Sequence, residues 1–325
     1  MSGKFWSRLI VALATSVVAT TAAVASDYPE RPITMVVTFS AGGSSDVLAR
    51  AVANALSQGL GKSVVVENRP GAGGHIGAEI VSRARPDGYT ILFGTNGTLG
   101  IGPAIYKNLR YNPAKDLVPV GILHKLPLML IVQNNIPANN LQEFIAYAKA
   151  HPGKLTFASA GVGTASHLSG ELLKEAAGIE ILHVPYKGGG GAAPDLLAGN
   201  VSMMIETIPT ALPFVANKQL RALGVTTRER SPTAPEVPTF AEQGLKDFDV
   251  TAWTGLFVPA GTPPEIIARL NAETLKIAQS PDYVAQIKKM GTDVATSSPE
   301  EFRKFVETDV ARWTEVVKRS GAQID

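Results

Sequence analysis

The sequence has no cysteine among its 325 residues. This absence excludes disulfide bonds, thiolate metal sites and a lipid anchor on an N-terminal cysteine. The chain also lacks a pair of adjacent arginines, which excludes a twin-arginine export signal. Charge is scarce and nearly balanced, with 18% charged residues and a net charge of +2. So little net charge is not typical of proteins that bind nucleic acid or an anionic membrane surface.

The first 25 residues have the pattern of a secretory signal peptide. Lys4 and Arg8 form a basic start, residues 9–18 an apolar core, and Ala23-Val24-Ala25 a small-residue cleavage site. The apolar run is too short for a transmembrane helix. We therefore expect cleavage after Ala25 and export to the periplasm. The remaining chain is near neutral, because both basic residues leave with the signal peptide.

One pattern occurs twice, offset by 119 positions when Ala41-Gly42 is aligned with Ala160-Gly161. Each copy is an apolar strand, a Gly/Ser-rich loop, a helical stretch, a second strand and a glycine cluster. We call residues 40–46 the first loop and residues 159–166 the second loop. Two halves that each present such a loop at the carboxyl end of a strand predict a ligand held between them.

Short apolar runs alternate with helical stretches along the whole chain, which predicts an α/β fold with largely parallel sheets. The predicted strands are 33–39, 63–67, 90–94, 118–123, 128–133, 154–157, 179–185, 201–207, 220–226 and 250–258. The predicted helices are 47–58, 141–151, 167–177, 264–279 and 299–318. The first helix has one apolar face made of Val47, Leu48, Ala51, Val52, Ala55 and Leu56. Ser44 or Ser45 is predicted to cap that helix.

The length suits two domains, and the repeat indicates that one of them is discontinuous. The first domain is predicted to comprise residues 26–125 and 254–325, and the second residues 126–253. The C-terminal helices fall outside the second copy of the repeat and would return to the first half. The chain then crosses twice, near residues 124–127 and 250–254, which predicts a hinge with a cleft between the lobes.

The two loops favour an anion. A glycine-rich turn that opens a helix offers unpaired backbone amides and the positive end of the helix dipole. Hydroxyl groups add further donors in both loops. A phosphate-binding P-loop is excluded, because Gly61-Lys62-Ser63 lacks the earlier glycine, and no dinucleotide fingerprint is complete. Loops without clustered Arg or Lys favour a small carboxylate over a polyphosphate.

Catalytic and metal-binding alternatives have weaker patterns. Ser159 lies in a partial nucleophile-elbow motif, but the first glycine is missing, so a loop hydroxyl donor is the simpler interpretation. His167 and Glu171 have helical i, i+4 spacing without an HExxH motif, which favours a structural role over a metal site. Asp46 either complements the helix terminus or contacts ligand. Lys187, beside four glycines, is either a site residue or a solvated lysine.

Several motifs resemble those of the Bug family, the periplasmic substrate-binding receptors of tripartite tricarboxylate transporters. The motifs are Phe39-Ser40-Ala41-Gly42-Gly43-Ser44-Ser45-Asp46, Glu67-Asn68-Arg69-Pro70-Gly71, Pro86-Asp87-Gly88-Tyr89-Thr90, the segment 158–167, Pro185-Tyr186-Lys187-Gly188 and Leu220-Arg221-Ala222-Leu223-Gly224. The resemblance covers essentially the whole mature chain. It implies a two-domain type II periplasmic-binding-protein (Venus flytrap) fold with a hinge and an interdomain cleft.

The resemblance also implies how a ligand is held. Family members grip a carboxylate between one loop from each domain, through amides, hydroxyls and water. The corresponding ligand-binding residues here are Phe39, Ser40, Ala41, Gly42, Gly43, Ser44, Asp46, Asn96, Ser159, Gly161, Thr164, Ser166, Tyr186, Lys187, Gly188 and Glu206. Ser40, Glu206 and residues 189–191 depart from the usual family pattern, so the ligand cannot be transferred from a relative.

The resulting expectation is a monomeric periplasmic receptor, not an enzyme, without cofactor or metal. It would bind a small mono-, di- or tricarboxylate, aliphatic or aromatic, and deliver it to the membrane subunits of a tripartite tricarboxylate-type transporter. The alternative is a periplasmic sensor with the same binding chemistry that feeds a two-component signalling system. An enzyme that turns over a bound acid is the third hypothesis.

Overall fold

The computed structural model describes residues 28–320, so the predicted signal peptide lies outside the described residues. The strands are β1 (Ile33–Val37), β2 (Val64–Asn68), β3 (Thr90–Thr95), β4 (Leu117–Gln133), β5 (Leu155–Ser159), β6 (Ile181–Pro185), β7 (Met203–Thr207), β8 (Leu220–Val225), β9 (Thr251–Pro259) and β10 (Asp293–Val294). The helices are α1 (Ser44–Leu60), α2 (His75–Ser82), α3 (Gly102–Ile105), α4 (Pro113–Asp116), α5 (Leu141–Ala150), α6 (Ala165–Ala177), α7 (Gly189–Ala198), α8 (Ile208–Ala216), α9 (Pro264–Gln279), α10 (Pro281–Lys289) and α11 (Pro299–Ser320). A 3₁₀ turn (Ala72–Gly74) precedes α2, and a π-helical turn (Gly97–Ile101) follows β3. Within this described part, no helix combines the length and the apolar character needed to cross a membrane.

The two copies of the sequence pattern fold alike. The first copy is β1, α1, β2, α2 and β3, and the second is β5, α6, β6, α7 and β7. In both copies the first strand lies in the middle and pairs in parallel with the other two. Parallel strands place their carboxyl ends at one edge of the sheet, so the loops that follow β1, β3, β5 and β7 meet there.

A long central strand joins the two parallel groups. β4 pairs antiparallel with β9 along Leu117–Pro127, and then with β7 and β8 along Leu128–Gln133. The sequence predicted two strands here and largely parallel sheets, and both predictions are wrong. The His124-Lys125-Leu126-Pro127 stretch interrupts the apolar pattern, but the backbone stays extended because β9 pairs with it. The sheet is therefore mixed, with parallel strands at its ends and antiparallel strands in its middle.

The predicted domain boundaries stay a prediction, and the change of partners within β4 supports them. β4 exchanges β9 for β7 and β8 between Pro127 and Leu128, two residues after the predicted boundary at 125. The second crossing lies where the Val250 amide donates to the Thr226 carbonyl and Thr251 begins β9. Both crossings fall within the segments that the sequence indicated.

The buried face of α1 differs by one column from the predicted face. Leu48, Val52 and Leu56 are fully buried at i, i+4 spacing, whereas Val47 is 44% exposed. Burying a leucine or valine side chain contributes about 1.5–3 kcal/mol, so this column anchors the helix to the sheet. The anchor matters for function, since it fixes the start of α1 at the edge of the sheet.

Four helices of eight to ten residues were not predicted: α2, α7, α8 and α10. α2 and α7 follow or contain glycine clusters, and α7 and α8 contain the internal prolines Pro194 and Pro213. Glycine and proline lower helix propensity, so the sequence pattern indicated loops. Tertiary packing overrides that weak preference, with Ala192 and Leu196 of α7 buried against the sheet.

Candidate functional site

A cavity of about 80 Å³ lies where the strands of both halves end. Ligands of α/β proteins commonly bind at this edge, because loops and helix starts converge there. The lining residues are Phe39, Ser40, Ala41, Gly43, Ser44, Ser45, Thr95, Asn96, Gly97, Leu126, Ala160, Thr164, Ala165, Ser166, Lys187, Gly188, Gly189, Gly190, Gly191, Glu206, Thr207, Ala252, Trp253 and Thr254.

Three helices begin at the wall of this cavity. The wall includes the first residues of α1 (44–45), of α6 (165–166) and of α7 (189–191). The first amides of a helix have no partner within the helix, and the helix dipole adds a partial positive charge. Lys187 and Glu206 are the only ionisable side chains among the lining residues. The wall therefore favours a small anion without providing a cluster of cations.

The first loop is held in place by Asp46. Its carboxylate accepts hydrogen bonds from the Gly42 amide (3.0 Å), from Arg50 Nε (3.1 Å) and from Asn68 Nδ2 (3.0 Å). Burial alone would raise the pKa of Asp46, but these bonds outweigh it and hold that pKa below its ordinary value. Asp46 is thus ionised, and its charge is used within the loop.

The start of α1 has no side-chain cap. The N-cap residue is Gly43, and no side chain there accepts a bond from the first helical amides. The predicted capping by Ser44 or Ser45 is therefore wrong, because both serines already lie inside the first turn. Gly42 has a φ of +84°, a left-handed backbone conformation that favours glycine.

The second loop is held by its own hydroxyl groups. Ser159 Oγ lies 2.7 Å from His183 Nε2 and accepts a hydrogen bond from the Gly161 amide at 3.1 Å. Thr164 Oγ1 donates to the Gly161 carbonyl at 2.7 Å and accepts from the His167 amide at 3.3 Å. Thr164 is the N-cap of α6, so this hydroxyl caps the helix and closes the loop at once.

Two stacked histidines contact the second loop. The rings of His167 and His183 lie 4.2 Å apart, centroid to centroid, with Phe157 against them. Burial lowers the pKa of His167 to about 3 and that of His183 to about 4, so both rings are neutral near pH 7. A neutral ring leaves His167 Nδ1 free to accept the Gly163 amide, at 3.3 Å. The loop is therefore built without formal charge.

Two polar groups of the wall lack hydrogen-bond partners. Asn96 is 2% exposed and Glu206 is 4% exposed, and within residues 28–320 neither Asn96 Nδ2 nor Glu206 Oε2 has a partner. An unpaired buried polar group costs about 1–3 kcal/mol, so such groups commonly mark the place of a ligand or water. They come from opposite halves of the sheet, one after β3 and one near the end of β7.

The loops touch across the cleft. Thr207 Oγ1 lies 3.1 Å from Ser44 Oγ, and Tyr106 Oη donates to the Val162 carbonyl at 3.3 Å. Gly190 approaches the backbone of the first loop so closely that a β-carbon there would lie 3.5 Å from the Gly42 carbonyl oxygen. The residues that follow β1 and β3 therefore contact residues at the ends of β5, β6 and β7 directly.

Eleven of the sixteen predicted binding residues line the cavity, and five do not. The eleven are Phe39, Ser40, Ala41, Gly43, Ser44, Asn96, Thr164, Ser166, Lys187, Gly188 and Glu206. The other five have other contacts. Gly42 lines a neighbouring groove, and Asp46 binds Arg50 and Asn68. Ser159 pairs with His183, Gly161 lies near the Tyr186 carbonyl, and Tyr186 Oη donates to Asp195 at 2.6 Å. These five shape the loops around the cavity.

The sequence did not predict one wall of the cavity. Leu126 and Ala252, Trp253 and Thr254 come from the two segments that connect the halves, and Thr95 and Gly97 flank the predicted Asn96. The sequence contains a signal for this wall, because residues 124–127 and 250–254 are the predicted crossings. A hinge that forms the floor of a cleft necessarily contributes side chains to it.

The catalytic and metal-binding alternatives have the following geometry. Ser159 does not line the cavity, and its hydroxyl contacts His183. His167 Nε2 and Glu171 Oε1 lie 3.9 Å apart, while Lys174 takes the other carboxylate oxygen at 2.7 Å. Across residues 28–320, no group of three or more Asp, Glu or His side chains is arranged to hold a metal ion.

Comparison with known proteins finds similarity along most of the chain. Residues 48–322 match the family described as "Tripartite tricarboxylate transporter family receptor". The periplasmic binding protein BugD is similar at 38% identity and a TM-score of 0.87, covering 91% of this chain and 99% of BugD. R. palustris Rpa4515, solved with adipate, is 35% identical with a TM-score of 0.89, covering 90% and 98%. MatC from Rhodopseudomonas palustris, with bound malate, is 36% identical with a TM-score of 0.85, covering 89% and 100%.

Proposed function

Because this chain belongs to the tripartite tricarboxylate transporter receptor family, which includes the Bug proteins, we propose that it captures a small carboxylate and delivers it to a transporter of that type. The fold is that of the family's periplasmic binding proteins, which are not enzymes. The protein would act in the periplasm, after removal of the signal peptide at Ala25, and meet the membrane subunits of the transporter there.

The observation that carries this proposal is the convergence of three helix starts on one small cavity. A carboxylate placed against residues 44–45 and 165–166 would meet unpaired amides from both halves of the molecule. Lys187 is the single lysine of the wall, so most of the negative charge of a polyphosphate would have no cationic partner. The adipate and malate bound by Rpa4515 and MatC support the same ligand class.

The binding groups differ between the two loops. In the first loop, the hydroxyls of Ser40 and Ser45 have no protein partner within residues 28–320, so they are free to donate to ligand. In the second loop the hydroxyls are used internally, which leaves the backbone amides as donors. Asn96 Nδ2 would complete the carboxylate site, because it is a buried donor without a partner.

The energetics suit a receptor. A hydrogen bond to a charged group contributes about 1.5–3 kcal/mol, so five or six such bonds offset the costs of binding. The remainder is about 8 kcal/mol, which corresponds to micromolar affinity. Ligand contacts with both halves would favour the closed arrangement, and the hinge at β4 and β9 would reopen it at the transporter.

A thermal-shift screen tests the proposal directly. Protein stripped of ligand by unfolding and refolding would be exposed to mono-, di- and tricarboxylates, both aliphatic and aromatic, and to phosphate and matched uncharged amides. We expect at least one carboxylate to raise the melting temperature and its amide to leave it unchanged. A shift with phosphate alone, or with no carboxylate, would contradict the proposed function.

A variant that introduces a negative charge locates the site. Asn96→Asp replaces the unpaired donor by a carboxylate, so it should lower the affinity for the carboxylate about 10- to 100-fold. Asn217→Asp is the matched control, because Asn217 is exposed and lies outside the cavity. Equal affinities of the two variants would show that the ligand binds elsewhere.

A further inference from the structure

Glu206 is a buried acid that the anion site does not need. It lies near the end of β7 and lines the cavity at 4% exposure. Its Oε1 accepts two hydrogen bonds from Thr207, one from the amide at 2.8 Å and one from the hydroxyl at 3.1 Å. An oxygen that accepts two donors has no room for a proton of its own. Any proton on this carboxyl group therefore sits on Oε2.

Oε2 has no partner in the described part of the protein. The Ser166 hydroxyl donates its proton to the Ile205 carbonyl at 2.6 Å, so it is not available to Oε2. On the other side lies Gly189, another residue of the cavity wall, where a β-carbon would come within 2.6 Å of Oε2. Because Gly189 has no β-carbon, there is space for Oε2 at this position. A polar atom of a side chain that is more than nine-tenths buried, placed at the cavity wall, indicates contact with ligand.

The surroundings of Glu206 disfavour a negative charge. Ser166 of α6, Thr207, Ser44 of the first loop and Gly189 of α7 carry no charge, and Lys187 is the one other ionisable side chain of the wall. No ion pair within residues 28–320 joins Lys187 to Glu206. The start of α7 favours an anion, but none of its amides donates to Oε2. Burial raises the pKa of Glu206 and outweighs the bonds from Thr207 and the nearby Ser166 hydroxyl, which lower it.

We propose that Glu206 is a specificity-determining residue that binds as a neutral acid, with its Oε2–H donated to a second oxygen function of the ligand. This inference rests on the proposed function, since it assumes that a carboxylate already occupies the anion site. The preferred ligand would carry a second acceptor, as dicarboxylates do, and not an ammonium group. In an open cleft, where water reaches Glu206, the carboxyl group would be ionised near neutral pH. Closure around ligand would therefore take up one proton from solvent.

The linkage has a definite sign. A carboxyl group whose pKa is higher in the closed, liganded form favours binding at low pH. Affinity should therefore fall as the pH rises, by about tenfold per pH unit, between the ordinary pKa of glutamate, near 4.3, and the higher pKa of the closed form. A ligand with an ammonium group would reverse this preference, because it requires the ionised carboxylate.

Calorimetry measures the proton directly. Binding would be measured with the dicarboxylates malonate to adipate, with butyrate and hexanoate as monocarboxylate controls, and with aspartate and glutamate as ammonium-bearing controls. At pH 7, titrations in two buffers of different ionisation enthalpy give the number of protons taken up. We expect net proton uptake with a dicarboxylate, and an affinity that falls as the pH rises until it passes the pKa of Glu206 in the closed form.

Two variants test whether Glu206 is the group that takes up the proton. Glu206→Gln places a permanent N–H donor at the position of Oε2, so proton uptake should vanish and the affinity should no longer depend on pH. Lys187→Met removes the other ionisable side chain of the wall, and proton uptake should persist. Should Glu206→Gln fail to fold, the pH series of the parent protein still decides, since a flat profile overturns the inference.

The outcomes separate the two proposals. Binding of a dicarboxylate without proton uptake, or tighter binding of aspartate or glutamate that is lost in Glu206→Gln, overturns the role of the neutral acid and leaves the receptor function intact. If no carboxylate of the thermal-shift screen binds, the proposed function is overturned, and this inference falls with it.

Discussion

The first and second loops have the same place in the repeat and different chemistry. The first loop is half-buried or exposed over residues 39–45, and an ionised Asp46 with Arg50 holds it. The second loop is largely buried, and neutral hydroxyl and imidazole groups hold it, with Thr164 as the cap of α6. Loops with the same sequence pattern are thus stabilised by different groups.

The difference teaches which groups remain for a ligand. Where charge holds the loop, the hydroxyls of Ser40 and Ser45 stay free, and only that of Ser44 contacts another residue, Thr207. Where hydroxyls hold the loop, only the backbone amides remain. We therefore expect side-chain changes in the first loop to act on affinity, and changes in the second loop to act first on stability.

The largest expected effect is at the equivalent glycines of the two loops. Gly161 has a φ of +130°, and a β-carbon there would lie 2.9 Å from the Tyr186 carbonyl oxygen, whereas Gly42 has open space around it. Gly161→Ala should lower the free energy of unfolding by about 2–4 kcal/mol, from strain and overlap together. Gly42→Ala should cost about 1 kcal/mol, from its left-handed backbone alone. Chemical denaturation of both variants measures the difference, and equal losses would contradict the comparison.

The sequence predicted the architecture better than the details of the site. The repeat and the Gly/Ser loops were sufficient to predict an α/β fold with a cleft, because backbone geometry at strand ends follows from glycine and short polar residues. Side-chain pairing was not predictable. Ser159 resembled a ligand donor, and only its contact with His183, distant in sequence, shows that the hydroxyl is used internally. Trp253 and Thr254 lie on the cavity wall because β9 crosses the hinge, which depends on long-range pairing.

The next largest effect separates the loops by pH. His167 and His183 have lowered pKa values, near 3 and 4, so the unfolded chain binds more protons than the folded protein below about pH 6.5. Their contribution is present above that pH and is lost as the pH falls toward 4, by up to about 1.4 kcal/mol per histidine per pH unit. Asp46, with its lowered pKa, loses its contribution only below the ordinary aspartate range.

Hydrogen exchange resolves the two pH windows. Between pH 6.5 and 4.5, protection of the second-loop amides should fall while that of the Gly42 amide persists. His183→Gln keeps a hydrogen-bond acceptor for Ser159 and does not titrate in this range, so it should reduce the slope in the second loop. A parallel loss of protection in both loops would show that the whole molecule opens, and the comparison would fail.

A smaller effect is expected when the charge of the first loop is removed. Asp46→Asn weakens the bonds to Arg50 and to the Gly42 amide, and should lower stability by about 1–2 kcal/mol, since Arg50 is partly exposed. Asp87→Asn is the matched control. Asp87 forms a surface ion pair with Arg31, which contributes about 0–1 kcal/mol. Thermal unfolding at low and high salt measures the stability of both variants. Equal losses would show that Asp46 contributes no more to stability than a surface ion pair does.

The smallest effect compares hydroxyls at the two helix starts. Thr164→Ala removes the cap of α6 and should cost about 1 kcal/mol of stability, with Thr164→Ser as the control that keeps the cap. Ser45→Ala removes a hydroxyl that caps nothing, so stability should change by less than about 0.5 kcal/mol. Affinity for the carboxylate should follow the opposite order, with a loss in Ser45→Ala because that hydroxyl is free to donate. If Ser45→Ala destabilises the protein and leaves affinity unchanged, then the first loop uses its hydroxyls as the second does, and the contrast between the loops disappears.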